Sequence, residues 1–259
     1  MDFGLKGKVA MVAAASKGIG LATAQLLAEE GCRVSICART ESDLEAAEAK
    51  IQGESRSYVV DVTDPEDLAW WHEQTKQDLG DVSILVTNTG GPPAGNWTSL
   101  TDEQWEQGFQ STLLNVVRLV RIVSPEMISA KWGRIVHVTS LVAKEPSPLL
   151  PISSTLRGGL QNLTRLQATE LAPHGITVNA VLPGHTLTDR QRHLADIRAS
   201  KEGISQDAAL ERTASEVPVQ RLAQPAEIGA AVAMLCAQQS AYITGVNLLV
   251  DGGLTRTAG

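Results

Sequence analysis

Two glycines and a lysine near the N-terminus have the types and spacing to bind a phosphate group. They lie in the stretch AAASKGIG, residues 13–20. Gly18 and Gly20 permit a tight turn between an apolar strand candidate and a helix candidate, so N–H groups at the helix N-terminus can approach a pyrophosphate. In this strand–turn–helix context the pattern favours a dinucleotide site. The alternative is a tight turn that binds nothing.

Arg39 and Lys17 indicate which dinucleotide such a site would bind. Arg39 follows the second strand candidate, where a protein that prefers NAD has an acidic residue on the ribose hydroxyls. Both cations can meet a 2′-phosphate, and the guanidinium of Arg39 can donate two parallel hydrogen bonds to it. Two cations with no acid favour NADP(H) over NAD(H). The alternative is that Arg39 is an ordinary surface charge.

These residues need a scaffold, and the hydrophobic pattern predicts one. Short apolar runs alternate with helix-period segments through most of the chain. Such alternation, with nearly all-apolar strands, predicts a parallel sheet covered by helices on both faces. No linker or internal repeat is visible, so we predict a single α/β domain over residues 1–259. The predicted strands span residues 8–14, 33–38, 57–62, 82–88, 133–140, 176–184 and 246–253, and the longer helices span about 18–30, 102–130, 153–173 and 225–238.

The segment 188–216 breaks this alternation with polar helical turns. In an open α/β sheet, ligands bind beyond the carboxyl ends of the strands, where this segment would lie. It is either a substrate lid or a peripheral excursion of the chain.

Composition excludes several classes of function. The chain has 259 residues, 43% of them hydrophobic, and a formal net charge of -7, which argues against a nucleic-acid or membrane-surface role because both need a positive face. Its three cysteines form no CxxC pair and fit free thiols in a reducing compartment, so we expect a cytoplasmic protein. The five histidines are scattered, and we expect no metal site.

Further motifs identify a family. DVTD (61–64), TNTG (87–90), VNAVLPGHTLT (178–188) and ITGVNLLVDGG (243–253) follow the glycine loop in order. With these motifs the chain resembles the short-chain dehydrogenase/reductase family over essentially its whole length. Its overall likeness is to the 3-oxoacyl-carrier-protein reductases. The resemblance implies a doubly wound Rossmann-type domain with seven parallel strands in the order 3-2-1-4-5-6-7.

The resemblance also implies a set of cofactor-binding residues. The family's TGxxxGxG loop has Ala13 here for the threonine and Ala14 for the first glycine. Alanine is tolerated there only if its φ is negative, which we expect. The implied set is Ala14, Ser16, Lys17, Gly18, Ile19, Gly20, Arg39, Asp61, Val62, Asn88, Thr89, Gly90, Pro183, Gly184, Thr186 and Thr188.

The catalytic positions depart from the family pattern. The family's reductases use an asparagine, a serine, a tyrosine and a lysine. Counting from GRIVHVTS places Ser140 at the serine, Ser153 at the tyrosine, Arg157 at the lysine and Thr112 at the asparagine. Ser140 is therefore the one match, and we take Ser140, Ser153 and Arg157 as the candidate catalytic residues.

The loss of the tyrosine removes the usual proton donor. An aliphatic hydroxyl is a far weaker acid than a phenol, and arginine stays protonated. Loss of a general acid costs about 10² to 10⁴ in rate. Lys144 and His185 are substitutes by position, although a residue of either type in such a place is more often an ordinary loop residue. The proline-rich loop before Ser153 forms either an apolar substrate wall or a packed connection.

Two functions fit these observations. The first is an NADP(H)-dependent oxidoreductase that acts on a carbonyl or alcohol through a non-standard proton relay. The second is an NADP(H)-binding protein with little or no turnover, acting as a sensor or a partner subunit. Non-redox chemistry on the same scaffold fits less well. The resemblance further implies a homo-oligomer, a dimer or tetramer, built through the helices at about 102–130 and 153–173.

Overall fold

The computed structural model describes residues 2–256, which form one seven-stranded sheet. The strand order is β3-β2-β1-β4-β5-β6-β7 and every neighbouring pair is parallel, so both the predicted order and the predicted direction are confirmed. The strands are β1 (Val9–Val12), β2 (Arg33–Ala38), β3 (Ser55–Val59), β4 (Val82–Thr87), β5 (Gly133–Val138), β6 (Ile176–Pro183) and β7 (Asn247–Val250).

Helices cover both faces of this sheet. Residues of α1, α2 and α9 join one buried apolar cluster, and residues of α3, α5 and α6 join a second one on the other face. This two-sided burial explains why the strands are apolar almost throughout. The helices are α1 (Gly18–Glu29), α2 (Glu41–Glu48), α3 (Pro65–Leu79), α4 (Asp102–Phe109), α5 (Asn115–Ala130), α6 (Pro151–Leu171), α7 (Asp189–Glu202), α8 (Gln206–Glu216) and α9 (Pro225–Cys236).

Local sequence signals explain how one of these helices starts. The side chain of Asp64 accepts a hydrogen bond of 2.8 Å from the Glu66 N–H, and Pro65 occupies the first turn of α3. An N-cap aspartate followed by proline is a typical helix start.

The helix predicted over residues 102–130 is wrong in its middle. Five residues, Gln110–Leu114, form a π-helical turn between α4 and α5. A π turn inserts one extra residue into the helix, and hydrophobic periodicity does not detect it. Just before this turn, Gly108 packs so closely on α6 that a Cβ atom there would overlap the side chain of Ile152. The π turn therefore directly follows the point at which α4 packs closely against α6.

The segment 188–216 folds as α7 and α8, which pack on each other. Ala195, Ala199 and Ala209 form a small apolar cluster separate from the two main ones. Arg198 makes an ion pair of 2.9 Å with Glu202 within α7, and a second of 2.8 Å with Glu216 that joins α7 to α8. The segment is thus a small helical unit of its own, and its closure as a lid stays a prediction.

Some large apolar side chains are exposed on the surface of the protein. Within residues 2–256, no helix has both the length and the apolar character needed to cross a membrane. Leu166 on α6 is 67% exposed and Phe109 on α4 is 39% exposed. These side chains lie on the helices through which we expect subunits to associate, and the oligomer stays a prediction.

Candidate active site

The carboxyl ends of the parallel strands open into a cleft of about 1230 Å³. Residues at or just beyond the ends of β1, β2, β4, β5 and β6 line it, and so do side chains of α7 and α8. This is the edge at which an open α/β sheet binds ligands. Of the predicted cofactor residues, all except Gly20 line this cleft.

The glycine loop differs from expectation at Ala14. Its φ is 47°, in the left-handed region, so the prediction of a negative φ is wrong. The turn needs this conformation because the chain reverses between β1 and α1, and the side chain of Asn88 holds it by donating to the carbonyl of Ala14 at 3.1 Å. Gly20 lies behind the loop, where a Cβ atom would come within 2.6 Å of the Ala14 carbonyl oxygen. Glycine at position 20 therefore allows the loop to close over α1.

The start of α1 is open to an anion. Lys17 is its N-cap residue, and no side chain caps the helix. The first N–H groups of a helix have no intrahelical partner and attract negative charge. Gly18 has a φ of 58°, which lets the backbone turn into the helix without a side chain in the way. A dinucleotide pyrophosphate fits this uncapped helix start.

Lys17 and Arg39 both line the cleft, together with two acids, Asp43 and Asp189, that the sequence analysis missed. Lys17 Nζ lies 3.8 Å from a carboxylate oxygen of Asp43 and 3.6 Å from one of Asp189. The expectation of a site with no acid is therefore wrong. Asp43 stands four residues after Arg39, in the same stretch CARTESD, so its proximity could have been read from the turn into α2. Arg39 itself is exposed and lines the cleft.

Asp61 lines the cleft and is ionised. Burial raises the pKa of its carboxyl group, but hydrogen bonds from the Thr63 N–H and hydroxyl, together with the charge of Arg39, outweigh it and lower the pKa. Those hydrogen bonds are 2.9 Å and 2.8 Å long. The carboxylate is thus held in place and negatively charged.

The three candidate catalytic residues all line the cleft. The Ser140 hydroxyl, directly after β5, accepts a hydrogen bond of 3.3 Å from the Val142 N–H. Ser153 and Arg157 face the cleft from the first turns of α6, and each is 6% exposed. The structure therefore places the residues at the serine, tyrosine and lysine positions on the wall of the same cleft.

Arg157 is a buried cation. It donates one hydrogen bond of 3.1 Å to the Val138 carbonyl, and its Nε has no partner among the described residues. Burial, with a smaller contribution from the charge of Arg190, lowers the pKa of Arg157 to about 10. At neutral pH the guanidinium stays protonated, so it brings a positive charge into a largely desolvated part of the cleft.

Arg190 is a second cleft cation, and the sequence analysis missed it. It is half-buried, and its Nη2 donates to the Pro92 carbonyl at 2.7 Å. A Cβ atom on Gly91 would lie 3.1 Å from Arg190 Nε, so the side chain packs on the backbone that follows β4. The signal was present in the sequence, since Arg190 comes two residues after the VNAVLPGHTLT motif.

The asparagine position is occupied by a buried threonine. Thr112 lies in the π turn, is 2% exposed, and its hydroxyl has no hydrogen-bond partner in the described structure. Asn115, one turn further on, is fully buried, and its side-chain carbonyl oxygen accepts a hydrogen bond of 2.7 Å from the Val116 N–H. Asn115 therefore takes a structural position in the helix and does not line the cleft.

Of the two substitute proton donors, His185 lines the cleft and Lys144 does not. Burial is the main cause that lowers the pKa of His185, so its imidazole is neutral at pH 7. His137 is a buried core residue whose ring nitrogens hydrogen-bond Thr87 at 2.8 Å and Gln167 at 2.9 Å.

Both tyrosines lie outside the cleft. Tyr58 donates to a carboxylate oxygen of Asp78 at 2.7 Å, and Tyr242 is fully exposed. The chain therefore supplies no phenol of its own to this site.

Comparison with known proteins decides the family. A family model described as enoyl-(acyl carrier protein) reductase matches residues 13–255. The 3-oxoacyl-(acyl-carrier-protein) reductase FabG of Haemophilus influenzae is 34% identical over 250 residues, which are 96% of this chain and 99% of that protein. The chain belongs to the short-chain dehydrogenase/reductase family.

Solved structures of short-chain dehydrogenases/reductases share the whole fold. The L-sorbose reductase from Gluconobacter frateurii, solved with NADPH and L-sorbose, is 31% identical with a TM-score of 0.94, and all of each chain is covered. A short-chain oxidoreductase from Pseudomonas aeruginosa PAO1, described as containing an atypical catalytic center, is 35% identical with a TM-score of 0.89, and the match covers 98% of this chain and 99% of that one.

Proposed function

We propose that this member of the family is an NADP(H)-dependent oxidoreductase that acts on a carbonyl or alcohol substrate through a non-standard proton relay. The single observation that carries the proposal is Arg157. It is a buried guanidinium at the lysine position, it lines the cleft, and no carboxylate of residues 2–256 lies within 4 Å of it.

The preference for NADP(H) is supported by Lys17 and Arg39. Both line the cleft, and within residues 2–256 no carboxylate lies within 4 Å of Arg39. Lys17 divides its charge between Asp43 and Asp189 over distances of more than 3.5 Å, which is too long for tight pairing. A 2′-phosphate would meet one free guanidinium and one loosely held ammonium. The L-sorbose reductase with the same fold was solved with NADPH.

NADPH held in the cleft would supply a hydride to the substrate carbonyl. The carbonyl oxygen would then develop negative charge, which preorganised donors and cations stabilise. We assign this task to Arg157, with Ser140 and Ser153 as hydroxyl donors beside it. Removing one such donor from an enzyme costs about 10² to 10³ in turnover.

The proton that neutralises this oxygen comes from water in our proposal. Arg157 stays protonated at neutral pH, His185 is neutral there, and Lys144 lies outside the cleft. None of these side chains is a ready acid at pH 7, whereas the cleft is open to solvent. Arg157 therefore replaces the charge of the usual lysine, and water replaces the phenol.

The cleft wall supports a substrate that is apolar in part. Pro146, Pro148, Leu149 and Leu150 all line the cleft. The Ser147 N–H bonds the Ser154 hydroxyl at 3.1 Å, which ties this loop to α6. The loop is thus a fixed apolar surface beside the candidate catalytic residues.

A second candidate function is cofactor binding without turnover. The observation that favours it is that no tyrosine lines the cleft. If neither water nor any cleft residue delivers the proton, the protein would bind NADP(H) as a sensor or as a partner subunit of an oligomer.

The cofactor claim is tested by titrating the protein with NADPH and with NADH, using cofactor fluorescence. We expect NADPH to bind at least about 10-fold more tightly, because a charge-assisted hydrogen bond contributes about 1.5–3 kcal/mol. Arg39→Gln should remove most of this preference. Arg56→Gln, which removes an exposed arginine outside the cleft, is the matched control. Equal binding of both cofactors would refute the claim.

The turnover claim is tested by screening aldehydes, ketones and quinones for NADPH oxidation. We expect turnover that survives Lys144→Ala and His185→Ala at neutral pH. Tight NADPH binding with no oxidation of NADPH by any substrate would favour the second function. A loss of turnover in His185→Ala of 10²-fold or more would show that the histidine, and not water, delivers the proton.

A further inference from the structure

Each carboxylate that lines the cleft is already paired with a group other than Arg157 or Arg190. Six of them are present, and each is held by a cation, a hydroxyl or a backbone N–H. The pairs are Asp43 and Asp189 with Lys17, Glu202 and Glu216 with Arg198, Asp61 with Thr63, and Glu145 with the N–H of Arg256.

Besides Arg39, which we assign to the cofactor, the cleft holds two guanidinium groups that have no counter-ion among the described residues. Among residues 2–256, no carboxylate lies within 4 Å of Arg157 or Arg190. Each guanidinium has five N–H donors, yet the hydrogen bonds found are one from Arg157 to Val138 and one from Arg190 to Pro92, both to backbone carbonyls. Most of their hydrogen-bonding capacity is therefore free.

An unpaired buried charge is costly, and two such charges of the same sign near each other are more so. Arg157 is 6% exposed and Arg190 is half-buried. Both side chains line the same cleft, and the positive charge of Arg190 contributes to lowering the pKa of Arg157. An anion bound between them would relieve both the desolvation and the repulsion.

We propose that the substrate is an oxo acid, with its carboxylate bound by Arg190 and its carbonyl oxygen facing Arg157. This inference rests on the proposed function, because it assigns the carbonyl to the site described there. Because Arg157 and Arg190 line the same cleft, one small substrate can present its carbonyl oxygen to the first and its carboxylate to the second. The rest of such a substrate would lie along the apolar wall formed by Pro146, Pro148, Leu149 and Leu150.

The probes are short oxo acids and their neutral counterparts. We would use 2-oxobutyrate, acetoacetate and levulinate, each with its methyl ester, and measure binding by calorimetry with NADP⁺ present and again without it. Because NADP⁺ cannot deliver a hydride, binding is measured without turnover. We expect at least one acid to bind about 10- to 100-fold more tightly than its ester, as one charge-assisted interaction would give.

Variants locate the anion. Arg190→Gln should reduce the preference for acid over ester to within about threefold, and Arg190→Lys should restore part of it because the charge returns. Arg192→Gln is the matched control, since it removes an exposed arginine two residues further along α7 that does not line the cleft. It should leave the preference unchanged.

Three outcomes would overturn the inference. In the first, every acid binds no better than its ester. In the second, the preference survives Arg190→Gln. In the third, Arg190→Gln weakens NADP⁺ binding about 10-fold and leaves the acid-to-ester ratio unchanged, which would place Arg190 on the cofactor pyrophosphate. Failure of the proposed function looks different: acids bind preferentially, but NADPH is not oxidised by any of them.

Discussion

Replacing Ala14 by glycine should stabilise the protein. Ala14 has a φ of 47° in the turn between β1 and α1. An L-residue with a Cβ atom is strained in this left-handed conformation, whereas glycine adopts it freely. The carbonyl of Ala14 is held by the Asn88 side chain at 3.1 Å, so the backbone keeps this conformation whichever residue is present.

The expected gain is the difference between two effects. Relief of the left-handed strain stabilises the folded state by about 1–2 kcal/mol. The extra freedom of glycine in the unfolded chain offsets about 0.4–1 kcal/mol of this. At the midpoints of these ranges the net increase in the free energy of unfolding is about 0.8 kcal/mol, which for a chain of this length raises the Tm by about 2–3 °C.

Urea denaturation of Ala14→Gly beside the wild-type protein measures this gain. Ala15→Gly is the matched control, because Ala15 is fully buried in the same loop and its φ is not positive. That control loses a buried methyl group and gains freedom in the unfolded chain, so it should destabilise the protein by about 1 kcal/mol or more. If Ala14→Gly lowers the stability as much as Ala15→Gly does, the strain argument is refuted.

Two further predictions concern the core. Burial lowers the pKa of His137 to about 4, below its unfolded value of about 6.5. The unfolded chain therefore binds more protons between these values, and the free energy of unfolding should fall by up to about 3 kcal/mol as the pH drops from 6.5 to 4. Urea titrations at several pH values should show a shallower dependence in His137→Gln. Gly108→Ala should destabilise the protein by about 1–3 kcal/mol, because the new methyl group overlaps Ile152. Gly159 is an exposed residue of α6 with nothing within 4 Å of an added Cβ atom, so Gly159→Ala should stabilise the protein by about 0.5–1 kcal/mol. Calorimetry should show a lower Tm for Gly108→Ala and a higher Tm for Gly159→Ala. Changes in Tm of the same sign in both variants would contradict the packing argument.

Most of the fold could be predicted because its signals are local and repeated. Apolar strands covered on both faces alternate with helices, and the family motifs set their order. The π turn at Gln110–Leu114 could not be predicted in this way, because it depends on how closely the α4–α5 segment approaches α6.

Several residues that line the candidate site could be predicted from the sequence, but the full set of acids and cations in the cleft could not. Ser140, Ser153 and Arg157 were found by counting from one motif, and all three line the cleft. Asp43 and Arg190 were missed, since their position in the site depends on how α2 and α7 begin. The φ of Ala14 was wrong for a related reason: the residue type at position 14 favours one conformation, and the geometry of the β1–α1 turn imposes another.

The central claim is that Arg157 stabilises the developing oxyanion in place of the usual tyrosine and lysine. It is tested most directly by the kcat of Arg157→Gln with saturating NADPH and the best substrate of the carbonyl screen, alongside the Kd for NADPH. The account predicts that kcat falls about 10²- to 10³-fold while the Kd changes less than about threefold, and that Arg157→Lys recovers part of the loss. A kcat within threefold of the wild-type value would contradict it.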